Sequence, residues 1–286
     1  MAPETNRGAR YDPAALDRVE RRFWRDIWQS MPLEVTSEHE IELREFGALQ
    51  VTLARDLPRV PILNLVLGAA EASEADLEYA IAWAEEHGVS PCIPLTPGLP
   101  GSLQAEAWLR ERGFEPGYAW MKFVRDPHPP RFPAPPEVEV VELGSAGEEP
   151  FGTIAAVGFG MPAWAGDFFA HLPGRGGWRC YVARVEGEAQ ACAAMLIEDG
   201  IAEFGIAATL EEARGRGCQT ALLHRRISDA AAAGCHTLFV ETGERVPARP
   251  SGRSRNTPTA GFEAASLRPN WPRRRYAVAA RRRGSV

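Results

Sequence analysis

The most constraining feature of this chain is a glycine loop that leads directly into a helix, Ala213-Arg214-Gly215-Arg216-Gly217-Cys218-Gln219-Thr220. An apolar strand, Ile201 to Ala207, precedes the loop, and the apolar residues that follow it recur at helical spacing. The first amides of a helix have no internal partner, and the helix dipole adds partial positive charge there. Glycines also let the backbone approach a phosphate closely. Strand, loop and helix together therefore predict a binding site for a pyrophosphate, which we call the phosphate seat.

The loop excludes two common nucleotide motifs and resembles a third. It has neither the Gly-x-x-x-x-Gly-Lys-Ser/Thr pattern of a P-loop nor the Gly-x-Gly-x-x-Gly pattern of a dinucleotide fold. It resembles the acyl-CoA signature of the GNAT N-acetyltransferase superfamily, Arg/Gln-x-x-Gly-x-Gly/Ala, with Arg214 and Gly217 on the pattern and Gln219 replacing the last small residue. Downstream, Asn256 and the pair Gly261-Phe262 resemble the GNAT element whose Asn holds the CoA arm. The resemblance covers the chain from about Pro136 onward.

Domain organisation is predicted from a proline-rich segment, because prolines at this density form neither a helix nor a central strand. We predict a first domain over residues 1–127, a linker over 128–136 and a second domain over 137–286. In the second domain, hairpins lead into a strand-loop-helix-strand crossover, which predicts an α+β fold with a mixed, mostly antiparallel sheet. Periodicity and turn residues place its strands and helices over 138–141, 151–159, 178–185, 189–197, 201–208, 217–233 and 237–241.

The first domain repeats the second weakly, and Gly113-Phe114-Glu115 matches Gly261-Phe262-Glu263. We therefore expect two GNAT-like domains, each a twisted sheet flanked by helices, with an unrelated first domain as the alternative. The segment Gly68-Ala69-Ala70-Glu71-Ala72-Ser73 has one glycine, no arginine and a negative charge where a phosphate would lie. Trp108 stands where the second half has Asn256. The first half is thus expected to lack a CoA site and to shape the acceptor pocket or a dimer.

The resemblance implies the residues of the acetyl-CoA site. In GNAT enzymes the strand before the glycine loop splays from its neighbour, and its backbone pairs with the pantetheine arm, a role that maps onto Ile206, Ala207 and Ala208. The loop amides would bind the pyrophosphate. The cofactor-binding residues implied beyond the strand are Arg214, Gly215, Arg216, Gly217, Cys218, Gln219, Thr220 and Asn256.

Glu203, on the same strand, is the candidate catalytic base. Strand alternation predicts that Glu203, Gly205 and Ala207 share one face. Partial burial beside small residues would raise the pKa of this carboxyl toward values useful for proton transfer. Glu241 on the next strand is the second candidate, and the alternative for Glu203 is a surface ion pair with an arginine. Many GNAT members also carry a Tyr that protonates the leaving thiolate, and Thr257 occupies its position.

Composition limits the remaining partners. The chain has no run of about 18 apolar residues, so we expect no membrane segment, and no apolar region at its start, so we expect no secretory signal. Five cysteines without paired spacing and six histidines without ligand spacing predict reduced thiols, no metal and a cytoplasmic location. A net charge of −6 opposes nucleic-acid binding, although the arginines after Glu241 keep that class as a third alternative.

These observations predict an acetyl-CoA-dependent N-acetyltransferase that acts on a primary amine, with a homodimer as one option. The alternative from another class is a non-catalytic acyl-CoA-binding sensor or interaction module. Neither the acceptor nor the acyl chain length follows from the residues.

Overall fold

A computed structural model of the chain describes residues 11–58, 60–130, 132–145, 150–243 and 260–273. The part that precedes the proline-rich segment begins with two helices and a strand hairpin, and strands and helices alternate after that hairpin. Its helices are α1 (Pro13–Gln29), α2 (Leu33–Glu38), α3 (Glu74–Glu86) and α4 (Ser102–Glu111). Its strands are β1 (Ile41–Phe46), β2 (Leu49–Ala54), β3 (Val66–Leu67), β4 (Ile93–Pro94) and β5 (Ala119–Arg125).

The second part follows the predicted order of elements closely. Its helices are α5 (Phe151–Phe159), α6 (Asp167–Ala170) and α7 (Cys218–Ala232). Its strands are β6 (Glu139–Leu143), β7 (Trp178–Val185), β8 (Glu188–Glu198), β9 (Ile201–Thr209), β10 (Thr237–Gly243) and β11 (Glu263–Trp271).

The strands form one sheet of eight and one of three. The larger sheet has the order β4-β11-β5-β10-β9-β8-β7-β6, and the smaller has the order β1-β2-β3. An isolated parallel bridge between Leu65 and Cys92 links β3 to β4, with Val66 N donating to Cys92 O at 2.9 Å. In the larger sheet β9 and β10 are parallel and the other pairs are antiparallel. The predicted α+β class with a mixed, mostly antiparallel sheet is confirmed.

The two halves of the chain exchange strands at the centre of the larger sheet. Strand β5 of the first half lies between β10 and β11, and β11 of the second half lies between β5 and β4. On one side of this central pair lie β4 and then β3 of the first half, and on the other side lie β10 and then β9 of the second half in the equivalent positions. The repeated Gly-Phe-Glu segments precede or open the two exchanged strands. The described residues therefore form two halves with corresponding strands, and each half includes one strand that comes from the other half of the sequence. The boundary at 128–136 stays a prediction.

Helix α1 of the first half packs on the sheet of the second half. Asp12 caps the helix by accepting a hydrogen bond from Ala14 N at 2.9 Å, and a proline follows as its first residue. The ring of Phe23 lies 4.8 Å from the ring of Trp178 in the core shared by both halves. Asp26 of α1 accepts a hydrogen bond from Trp178 Nε1 at 2.7 Å. One face of the larger sheet is thus covered by α1, α5 and α6, and the other face by α7.

Candidate functional site

Strands β9 and β10 diverge in the middle of the sheet. Their parallel pairing runs from Ile201 opposite Thr237 to Phe204 opposite Val240, whereas both strands continue further. Beyond that point β10 pairs with β5 only, and β9 pairs with β8 only. Such a split leaves a gap between two strands that an extended ligand can enter by pairing with backbone groups. The gap begins after Phe204, as the resemblance implies.

A β-bulge lies in β9 where the gap begins. The register against β8 shifts by one residue, so that Ile206 and Ala207 stand opposite the single residue Ala193. Ile206 has a φ of 47°, which a β-branched residue rarely adopts. Strained backbone of this kind persists where the surrounding structure holds it, and it concentrates at ligand sites. The bulge therefore marks this part of β9 as the candidate acyl-binding segment.

The bulge also changes which side chains share a face of the strand. Strict alternation predicts Ala207 on the same face as Glu203 and Gly205. Instead, Ile206 lies in the core beneath α1, and Ala207 packs against the core beneath α7. The prediction for Ala207 was wrong because the extra residue of a bulge inverts the alternation that follows it.

The glycine loop enters α7 through two residues with positive φ, Gly215 at 83° and Gly217 at 85°. The helix begins at Cys218, and its first turn has neither a side-chain cap nor an acidic residue among the described residues. The first helical hydrogen bond runs from Ala221 N to Gly217 O at 3.0 Å. The amides of residues 218–220 therefore precede the helical ladder, which is the arrangement that binds a phosphate.

The two loop arginines lie at the surface beside this helix end. The side chains of Arg214 and Arg216 are 61% and 44% exposed. Arg216 Nη2 lies 2.6 Å from a carboxylate oxygen of Glu186, and Arg214 Nη1 lies 4.0 Å from one of Glu211. Because each guanidinium lies near a carboxylate, the donors that the phosphate seat offers an anion are first of all the backbone amides that precede the helical ladder of α7.

Gln219 and Cys218 have structural roles in the seat. Gln219 Nε2 donates to Ala208 O at 2.9 Å and to Thr209 Oγ1 at 2.8 Å. These bonds hold the first turn of α7 against the end of β9 and so fix the position of the phosphate seat relative to the bulge. Cys218 is buried, and burial raises the pKa of its thiol, so the helix end does not make it a reactive thiolate.

Glu203 belongs to a buried group of five charged residues, which we call the charge cluster. Each member comes from a different element of the fold, and the side chain of each is buried or nearly so, with at most 10% of it exposed. The members are Glu20 of α1, Lys122 of β5, Glu203 of β9, Glu241 of β10 and Arg268 of β11. Charged residues this deep in a protein require partners, because desolvation of an ion is costly.

Four members form a closed ring of ion pairs. Lys122 Nζ lies 2.6 Å from Glu20 Oε2 and 2.8 Å from Glu241 Oε1. Arg268 Nη1 lies 2.7 Å from Glu20 Oε1, and Arg268 Nη2 lies 2.8 Å from Glu241 Oε2. Burial alone would raise the pKa of Glu20, but Arg268 and Lys122 outweigh it and hold that pKa below its usual value. Each carboxylate of the ring is thus matched by two cations and each cation by two carboxylates.

Glu203 is the fifth member and lies outside the ring of ion pairs. It is 5% exposed, and its Oε2 has no hydrogen-bond partner among the residues that the structure describes. Burial raises the pKa of Glu203 well above its usual value, and the negative charge of Glu20 adds to the increase. The carboxyl of Glu203 therefore keeps its proton to a higher pH than an ordinary glutamic acid does. The structure has a buried acid here, not the alternative surface ion pair, and its catalytic role stays a prediction.

In the first half, the helix that follows β3, as α7 follows β9, begins differently from α7. At the start of α3, Ser73 Oγ accepts a hydrogen bond from Asp76 N at 3.1 Å, so the helix end is already capped. Glu74 and Asp76 place negative charge in that first turn. Glu71 pairs with Arg21 of α1 at 3.0 Å. A capped and acidic helix end disfavours an anion at the start of α3. Helix α4, by contrast, begins after Gly101 with no side-chain cap among the described residues and no acidic residue in its first turn.

Two of the predicted site residues lie outside the part of the chain that the structure describes. Asn256 and Thr257 are outside the described residues, so their predicted positions beside the CoA arm stay predictions. Within the described ranges, no set of three or more His, Cys, Asp or Glu side chains is arranged to hold a metal ion. The same ranges contain no helix with the length and apolar character needed to cross a membrane.

Comparison with known proteins identifies part of the chain. Residues 154–243 match the family model described as the acetyltransferase (GNAT) domain. No curated protein sequence matches the chain. Among solved structures, a GCN5-related N-acetyltransferase from Kribbella flavida is 17% identical, with 93% of this chain and 97% of that chain covered and a TM-score of 0.60.

Two further structures have the same fold over most of their length. A tandem GNAT protein from the clavulanic acid biosynthesis pathway is 16% identical, with 89% and 95% of the two chains covered and a TM-score of 0.54. A GCN5-related N-acetyltransferase from Sphaerobacter thermophilus is 14% identical, with 92% and 93% covered and a TM-score of 0.53. The matched segment contains β9, the bulge and the phosphate seat. The chain therefore has the tandem GNAT fold, and its residues 154–243 form a GNAT-type acetyltransferase domain.

Proposed function

We propose that this protein transfers an acetyl group from acetyl-CoA to a primary amine of an acceptor still to be identified. The observation that carries the proposal is the strand gap after Phe204, which has a strained bulge on one side and leads to the uncapped start of α7. An extended pantetheine arm suits the gap, and a pyrophosphate suits the helix end.

The proposed cofactor residues fall into two groups. The backbone of Ile206, Ala207 and Ala208 would pair with the pantetheine arm, and an amide of this segment would polarise the thioester carbonyl as charge develops on its oxygen. The amides of Gly215 and of residues 217–220 would bind the pyrophosphate, with Asn256 on the arm. The amides of Arg214 and Arg216, which were also expected to bind it, already donate to Glu211 O and Ala213 O at 3.2 Å. In this arrangement Gln219 acts mainly through its side chain, which joins the two groups by its bonds to the end of β9.

In the proposed reaction the neutral amine attacks the carbonyl carbon, the C–S bond breaks, and the sulfur leaves as a thiolate that takes up a proton. Glu203 would accept the proton that the nitrogen loses. It lies three residues before Ile206, about 10 Å along an extended strand, so we propose transfer through bound water. Because burial raises the pKa of Glu203 and only the deprotonated carboxyl can accept a proton, the rate should rise with pH until the carboxyl and the amine have both lost their protons.

A binding measurement followed by an activity measurement tests the proposal. Titration calorimetry with acetyl-CoA, CoA, ATP and NAD should give binding for the two CoA species alone. Release of free CoA thiol is then followed with a panel of primary amines for the wild type and for Glu203→Gln, which retains the shape of the protonated acid. We expect amine-dependent release that falls at least 10-fold in the variant.

Each other outcome has a defined meaning. Binding of acetyl-CoA without thiol release for any amine would favour the non-catalytic sensor over the enzyme. Binding of ATP or NAD in place of CoA species would contradict the assignment of the phosphate seat. Unchanged release by Glu203→Gln would remove Glu203 from the reaction and leave the transfer itself standing.

A further inference from the structure

The first half of the chain contributes two residues to the charge cluster around Glu203. Glu20 comes from α1, and Lys122 comes from the exchanged strand β5. Lys122 is the only lysine of the sequence, in a chain that otherwise uses arginine. Its side chain is 2% exposed, so this one lysine lies in the interior of the sheet and not at the surface.

The strand register places Lys122 and Glu203 on the same face of the sheet. Glu203 stands opposite Phe239, and Lys122 stands opposite Glu241, two residues further along β10. Residues opposite each other share a face, as do residues two apart on one strand. The ammonium of Lys122 lies 5.1 Å from the centroid of the Phe239 ring, and Phe239 belongs to β10, the strand between β5 and β9. Two strand spacings, about 10 Å, therefore separate the two backbones.

We propose that Lys122 is a positioning residue for acetyl transfer: from the first half of the chain it holds Glu20 and Glu241 in the ion ring and thereby sets the charge that Glu203 meets. The inference rests on the proposed function, and it assigns a role in acetyl transfer to the first half of the protein. It also gives a reason for the exchange of strands, because without β5 the ring would lose one of its two cations.

The charges around Glu203 make the role of Lys122 specific. The groups that face Glu203 are Glu20 from α1, Glu241 from β10, Lys122 from β5 and Arg268 from β11, and its neighbour on β8 is the apolar Leu196. Lys122 also acts on the phenol of Tyr11, which precedes α1: burial raises the pKa of that phenol, and the positive charge of Lys122 opposes part of the increase. Two cations and three carboxyls are neutral together when one carboxyl keeps a proton. Glu203 is the carboxyl that no described cation contacts, so it keeps that proton.

Two substitutions should therefore shift the titration of Glu203 in opposite directions. Lys122→Met removes a positive charge, and Glu203 should hold its proton to a higher pH. Glu20→Gln removes a negative charge, and Glu203 should lose its proton at a lower pH. A unit charge about 10 Å away, at an effective dielectric constant near 20, corresponds to a shift on the order of one pH unit. A merely structural role would lower activity in both variants without shifts of opposite sign.

The test measures two pH profiles on the full chain. The first is the acid limb of thiol release with the amine that the wild type uses fastest. The second is the free energy of unfolding of each variant minus that of the same variant carrying Glu203→Gln, which isolates the titration of Glu203 and needs no acceptor. Lys122→Arg, which keeps the charge, should leave both profiles near the wild-type position.

Arg179→Met serves as the control. It breaks an ion pair of 2.6 Å with Glu142 between β7 and β6, away from the charge cluster, and should shift neither profile. Shifts of about one unit upward for Lys122→Met and downward for Glu20→Gln support the inference. Shifts of the same sign, or none, overturn it. If Lys122→Met does not fold, the downward shift of Glu20→Gln decides the question.

The outcome separates this inference from the proposed function. If no amine supports thiol release in the wild type, the proposed function fails, but the unfolding profiles still test the role of Lys122. If Glu203→Gln keeps the wild-type acid limb, the assignment of the base fails. If that limb disappears in Glu203→Gln and stays in place in Lys122→Met and Glu20→Gln, the inference alone fails.

Discussion

One methyl group at Gly205 should disturb the contact between the two halves. A Cβ at this position of β9 would lie 2.3 Å from Phe23 Cζ and 2.8 Å from Phe23 Cε2, both closer than side chains allow. Phe23 is 3% exposed and packs 4.8 Å from the ring of Trp178, so its ring cannot turn aside without moving α1. We expect Gly205→Ala to lower the free energy of unfolding by about 1–3 kcal/mol, the usual cost of overpacking.

A double-mutant cycle can assign this loss to Phe23. Phe23→Ala alone should cost about 3–5 kcal/mol, because it leaves a cavity in the core. In the double variant the new methyl group occupies space that the ring has left. The two losses should therefore fall short of their sum by at least about 1 kcal/mol. Urea unfolding measures these energies, and each kcal/mol corresponds to a fall of about 2–4 °C in Tm.

Gly176→Ala is the matched control. Its Cβ would meet no atom within 4 Å, and its φ is not positive, so the substitution should be nearly neutral. If Gly205→Ala is as stable as this control, or if the losses at Gly205 and Phe23 simply add, then α1 does not press on β9 as described.

Three further predictions concern the site and its counterpart in the first half. Glu203→Gln should become more stable relative to the wild type as pH rises. Because the pKa of Glu203 is raised in the folded state, the protonated carboxyl stabilises the wild type fully below about pH 4.5, and this contribution is lost as pH rises through the folded-state pKa. Urea unfolding at several pH values measures the difference between the two proteins, and a difference that does not change with pH would contradict this. Gln219→Ala should lose about 1–3 kcal/mol of stability and bind acetyl-CoA more weakly in calorimetry, because two hydrogen bonds that join the phosphate seat to β9 disappear. Ser73→Ala should lose about 0.5–2 kcal/mol from its helix cap while acetyl-CoA affinity stays unchanged; a weaker affinity would indicate a second CoA site.

Local elements of the second half could be predicted from the sequence. The predicted helix over 151–159 and strand over 178–185 agree with α5 and β7, and the helix after the glycine loop differs from α7 by one residue at each end. These elements have strong local signals: a period of 3.6 or 2 residues, a glycine at a turn, and a change of period between them. Glu203 could be predicted as a buried acid because a carboxylate beside small residues in a central strand is unusual.

The details of the site required the tertiary structure. A bulge adds one residue without changing the apolar pattern of β9, so the position of Ala207 could not be predicted by alternation. The hairpin of β1 and β2 was not predicted at all.

The sequence by itself determined the GNAT-like order of elements, the glycine loop and a candidate acid at Glu203, because each depends on neighbouring residues. Only the tertiary structure decided that β5 and β11 exchange places and that Lys122 and Arg268 complete one ion ring. The physical reason is that a strand's pattern specifies which of its faces is buried, whereas hydrogen-bonding edges are alike in every strand. Which strand lies beside which is settled by the packing of the whole chain, and here that packing joins the two halves around Glu203.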